Sequence, residues 1–78
     1  MVKLRVKLEY PEGLVTEPIV AQLVTLFNII PNIRGAHVSN SSGWLICELD
    51  GDPENVESAV GWLQSKGIVV SVLGGDAQ

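Results

Sequence analysis

Cysteine is nearly absent from this sequence, with Cys47 alone among 78 residues. A single thiol excludes an internal disulfide, a zinc centre built on cysteine pairs and a cysteine-ligated iron–sulfur cluster. Histidine is equally scarce. A general base needs a nucleophile and an orienting partner within reach, and no such set accompanies His37. Ser39, Ser41 and Ser42 belong to turn chemistry, and Gly35 and Gly43 form no phosphate-binding pattern. Asp50, Asp52 and Glu54 crowd together, but turn and cap roles account for the first two and no calcium-loop spacing follows. The chain is therefore not read as an enzyme, and no cofactor or metal is expected. Cations are outnumbered, five Lys and Arg against nine Asp and Glu, giving a formal charge of −4; a nucleic-acid partner is not expected on that balance. Long apolar runs are missing too. The longest, Ile19 to Ile30, is broken by Gln22, Thr25 and Asn28 and falls short of the roughly 20 residues that cross a bilayer. Val2 to Lys7 carries a charge at every second position, so no signal-peptide core forms there. No membrane insertion is expected, and the cytoplasm is the simplest location.

What the chain does have is patterned apolar residues. Hydrophobic content of 46% excludes disorder, and the length allows one domain, residues 1–78, with one small core. Such a core supplies only about 3–5 kcal/mol. With disulfides and metals excluded, oligomerisation is the remaining support.

Val2, Leu4, Val6 and Leu8 alternate with Lys3, Arg5, Lys7 and Glu9, a strand with one buried and one wet face. Tyr10-Pro11-Glu12-Gly13 ends it. A helix follows, with Thr16 as N-cap and Glu17 and Pro18 in its first turn. Ile19, Leu23, Leu26, Phe27 and Ile30 recur at helical spacing, Val20 and Val24 widen the apolar face, and Pro31 stops the helix. Two extended segments come next, Ile33 to Ser39 and Trp44 to Leu49, joined by Asn40-Ser41-Ser42-Gly43 as a hairpin. Their inner faces are Ala36 and Val38, then Leu45, Cys47 and Leu49. His37, Trp44, Ile46 and Glu48 point the other way. Asp50-Gly51 turns the chain into a second helix, capped by Asp52 with Pro53 first and Glu54 in the first turn. Val56, Ala59, Val60 and Leu63 form its inner stripe, and Lys66 and Gly67 close it. Ile68, Val70 and Val72 line a last strand, and residues 74–78 read as a frayed tail.

This β-α-β-β-α-β order is the ferredoxin-like α+β arrangement, a four-stranded antiparallel sheet with two helices on one face. The other face is then open and carries Lys3, Arg5, Lys7, His37, Trp44, Ile46, Glu48, Val69 and Ser71. Either the bases form a solvated strand with Trp44 packed over their stems, or Trp44, Ile46 and Val69 form an apolar patch for a partner. RNA-recognition modules share this topology, but Trp44 has no aromatic opposite it and the glycine-aromatic signature is missing.

Two stretches carry a further resemblance. Asn32-Ile33-Arg34-Gly35-Ala36 resembles the motif of the NIL domain family. Ala59-Val60-Gly61-Trp62-Leu63-Gln64, followed by Val70-Ser71-Val72-Leu73-Gly74, resembles its closing helix and strand. The resemblance spans essentially the whole chain. It implies a ferredoxin-like fold related to ACT-type amino-acid-sensing domains, paired as a homodimer. It also implies the kind of regulatory domain that in methionine ABC importers binds methionine near the dimer interface and inhibits transport. On that footing Asn32, Ile33 and Arg34 are the ligand-binding residues. The Asn32 amide can donate to a carboxylate and accept from an ammonium, or it can satisfy a turn after Pro31. Arg34 stands where the family places leucine; it can grip a carboxylate bidentately or extend into solvent. No phosphate-binding loop and no cluster cysteines accompany the motif. The expectation is a non-enzymatic sensor of a small amino acid, methionine or a sulfur relative. The alternative is a protein interaction module with no ligand of its own, docking an unidentified protein partner through Trp44 and Ile46 or a sheet edge.

Overall fold

The computed structural model describes residues 1–11, 18–39 and 42–75. Among them the order is β1 (Val2–Tyr10), α1 (Ile19–Phe27), β2 (Ile30–Val38), β3 (Gly43–Gly51), α2 (Pro53–Ser65) and β4 (Val69–Gly75). The strands form one antiparallel sheet in the order β2-β3-β1-β4. This is the ferredoxin-like α+β fold that the element pattern implies.

The alternation in β1 and β3 becomes register. Val6 pairs with Cys47, Leu8 with Leu45 and Leu4 with Leu49 on the helix side, while Arg5 pairs with Glu48 and Lys7 with Ile46 on the other. The two central strands supply the floor of the core, Ile19 and Leu23 of α1 and Val56, Ala59 and Leu63 of α2 supply its roof, and all are buried. The helices meet where Phe27 tilts against Trp62, with ring centroids 5.5 Å apart, and Lys66 Nζ lies 5.2 Å from the centre of the Trp62 ring. Such aromatic and cation–π contacts add to area burial.

Helix α1 ends three residues earlier than its apolar spacing implies. Asn28 turns left-handed (φ 53°, ψ 43°) and donates its N–H to the Val24 carbonyl, a conformation asparagine tolerates better than most residues. Ile29 is then fully buried, while Leu26 and Ile30 are 59% and 57% exposed. Leu26 and Ile30 are thus not part of the core. Pro31 does not stop a helix; it sits in β2, which starts at Ile30, as proline can where a strand lies at a sheet edge. Thr16 and Glu17 fall outside the described residues. Asp52 occupies the N-cap position of α2, but its side chain makes no capping bond.

At the other end of α2, Gly67 adopts φ +90°. Its N–H reaches the Gln64 carbonyl, and that of Ile68 reaches Leu63, the paired bonds of a Schellman cap. Strand β4 continues two residues beyond its expected end, Gly74 opposite Arg5 and Gly75 opposite Leu4. A side chain at Gly75 would collide with the Lys3 carbonyl, so glycine is what lets the last rung close. The expected fraying therefore does not begin at Gly74, and residues 76–78 lie outside the described set. No helix among the described residues is long and apolar enough to cross a membrane.

The same substitution at two glycines of this region should act with opposite sign. Gly67→Ala forces alanine into a left-handed conformation and should cost about 1–2 kcal/mol. Gly61→Ala, within α2 where an added Cβ meets nothing within 4 Å, should stabilise by about 0.5–1 kcal/mol. Urea unfolding of the two variants checks both signs.

Candidate functional site

The resemblance motif lies on β2 at the edge of the sheet, and it holds the one irregularity of the β2–β3 pair. Ile33 faces Cys47 and Gly35 faces Ile46, leaving Arg34 as an extra residue. This is a β-bulge, which re-aims side chains and bends the strand. On the near side of it Asn32 lies opposite Glu48; on the far side His37 lies opposite Trp44. The Trp44 ring lies beside Gly35, 3.6 Å from where a Cβ would stand. His37 stacks on that ring at 6.2 Å between centroids, and Lys7 Nζ sits 5.3 Å from the ring centre.

Glu48 ties three strands together. Its Oε2 accepts from Arg5 Nη2 of β1 at 2.8 Å, and its Oε1 accepts from Arg34 Nη2 of the bulge at 2.9 Å. The hydrogen bond from Arg5, then that from Arg34, holds its carboxyl below the ordinary carboxylate value, because both bonds favour the charged form. The Arg34 side chain remains 59% exposed against 14% for Glu48, and only its Nη2 is used in this pair of the five N–H donors a guanidinium carries. Lys7 and Glu9 make a looser pair at 3.6 Å.

Four of the five residues singled out in the sequence therefore share the open face: Asn32, Arg34, Trp44 and Ile46. Ile33 does not. It points to the helix side, opposite Cys47, and is 56% exposed because no helix covers the edge there. The chain does not turn after Pro31, so Asn32 is a strand residue. One concavity, about 240 Å³, lies at the far end of β2 between Tyr10, Ile19, Val20, Val38 and Leu45. Asn32, Ile33 and Arg34 do not line it. Burial, and then the neighbouring Cys47 thiol, raises the Tyr10 hydroxyl above its ordinary value there.

Sequence reasoning missed the bulge and the role of Glu48. A glycine inside a strand pattern signals the first. The second needs a register, because alternation assigns Arg5 and Glu48 to one face without making them neighbours. Cys47 is a buried core thiol, and burial pushes its pKa up to about 11. Among the described residues no three of His, Cys, Asp or Glu gather into a group that could hold a metal ion.

Comparison with known proteins places this geometry. The family model described as the NIL domain matches residues 4–72. Among solved structures, the C-terminal domain of an ABC transporter ATP-binding protein from Enterococcus faecalis superposes with a TM-score of 0.76 at 19% identity. The match covers 91% of this chain and 83% of that one. No curated protein matches the chain.

The lowered Glu48 value has a sign that can be tested. Stability from this carboxylate is fully present above its ordinary unfolded value and is lost as pH falls through the lower folded value. Carbon-detected NMR titration should give Glu48 a midpoint below the ordinary carboxylate value. Glu48→Gln should flatten the part of the acid unfolding curve that lies in that window. Cys47, buried and with its thiolate disfavoured, should react with a thiol reagent at pH 8 only as fast as the domain unfolds, which timed mass spectrometry reads directly.

Proposed function

The chain belongs to the NIL domain family, and we propose that it works as a non-enzymatic regulatory module of the cytoplasm. It acts as a homodimer that senses a small amino acid, methionine or a related sulfur compound, and passes its occupancy to another protein. The family supports the regulatory role, as does the likeness to a domain described as the C-terminal part of an ABC transporter ATP-binding protein.

The observation that carries the sensing reading is the bulge at the free edge of the sheet. While Ala36 and Val38 keep to the helix side, its extra residue puts the Asn32 amide and the Arg34 guanidinium on the open face. That pair suits the common part of an amino acid: arginine and an amide N–H for the carboxylate, the amide oxygen for the ammonium. Ile33 faces the other way and serves the dimer. Its exposed side chain and that of Val38, 68% exposed, are what a second copy of β2 would cover in an isologous contact. Ligand and assembly reinforce each other when only the pair binds.

One observation favours the second reading, docking without a ligand: Glu48 already engages Arg34, and the concavity beside Tyr10 and Val38 is lined by neither. Thermal unfolding against a panel of amino acids separates the two. A ligand at about 100 times its Kd adds roughly 2.7 kcal/mol, a rise of several degrees for a domain of this size. The expected result is a rise specific to methionine or a sulfur relative and lost in Asn32→Ala. A flat panel over a folded protein would overturn sensing and leave docking.

A further inference from the structure

Charge is not spread evenly over this chain. Four of its five basic residues, Lys3, Arg5, Lys7 and Arg34, lie on the open face of the sheet, against three carboxylates there, Glu9, Glu48 and Asp50. The rest of the chain carries one cation, Lys66, against six carboxylates. An acidic protein thus presents one face on which cations outnumber anions, and Glu48 is shared by two guanidiniums at its centre.

The register sets that face out in rows. One row runs His37, Trp44, Glu9, Val69, the next Gly35, Ile46, Lys7, Ser71, and the next Asn32, Glu48, Arg5, Gly74. Trp44 and Ile46 are half-buried and Val69 is 54% exposed. Apolar and charged side chains therefore lie side by side across three strands, and neither α1 nor α2 covers them.

We propose that this open face docks an acidic segment of a protein partner, one that pairs carboxylates with an apolar side chain. The carboxylates meet Lys3, Lys7 and the Arg5–Glu48–Arg34 group, and the apolar side chain lies on Trp44 and Ile46. Charge complementarity selects this occupant, since potentials of opposite sign steer encounter and exclude wrong partners. The same face of a second copy would set cation against cation. A nucleic acid would find Trp44 the one Phe, Tyr or Trp among the described residues of this face to stack on, where recognition of single strands uses two or three. The inference rests on the charge of the face and does not require the amino-acid reading.

A random twelve-residue peptide library selected on the immobilised domain at low salt tests the proposal, with single-stranded oligothymidine as a second probe. Binders are mapped by amide chemical shifts. The expected result is enrichment of net-negative peptides that shift Lys7, Trp44 and Ile46. They should weaken about tenfold with Lys7→Glu or Lys3→Glu and stay unchanged with Glu57→Lys on α2, all variants being checked for folding by circular dichroism. Enrichment of basic or uncharged peptides, shifts confined to the helix side, or no enrichment at all would overturn it. Tighter binding of oligothymidine to the same residues would overturn it too. Loss of the amino-acid response in Asn32→Ala bears on the sensing reading alone.

Discussion

Helix and strand advance at different rates, about 1.5 Å and 3.3 Å per residue, and this mismatch governs the molecule. Helix α1 has nine residues, as do the three strands β1, β2 and β3, so it spans less than half their length. The two helices seal the central strands, whose helix-side residues from Val6 to Leu8 and Leu45 to Leu49 are buried. They do not seal the edges. Ile33 and Val38 of β2 and Val72 of β4 keep more than half their surface in water although they stand on the helix side. A small core thus coexists with apolar edge surface that a monomer leaves uncovered, a combination that assembly relieves.

The open side of the sheet is organised by a different force. Glu48 joins the outer bulge to β1 through two charge-assisted bonds, stronger than neutral ones. That clamp ties the extra residue of β2, Arg34, to the open face beside β3. The two sides of the sheet therefore divide the work. The helix side holds the fold together and exposes an apolar edge, and the open side gathers the polar groups and aromatic surface available for recognition.

Much of this was legible in the residues. Strict alternation in β1 and in Trp44 to Leu49 named the faces correctly, because a half-buried strand shows a period of two without help from its neighbours. Helix α2 was legible through Pro53 and Gly67, each a local signal. The end of α1 was not, because Leu26 and Ile30 continue an apolar spacing that Asn28 interrupts through backbone conformation rather than polarity. Membership of the NIL family, carried by the motif and the closing helix and strand, is shown by the match over residues 4–72. The site was half legible. Counting back by alternation from Ala36 puts Arg34 and Asn32 on the helix side and Ile33 on the open one; the extra residue of the bulge reverses that phase.

The proposed homodimer would cover the helix side of β2, where Ile33 and Val38 are exposed in one copy. Sedimentation equilibrium across the micromolar range tests this most directly. The expected result is a mass twice that of the 8.4 kDa chain, returning to a folded monomer when Val38→Lys places a charge on the edge. A wild-type protein that stays monomeric throughout the range, or a dimer untouched by that substitution, would contradict it.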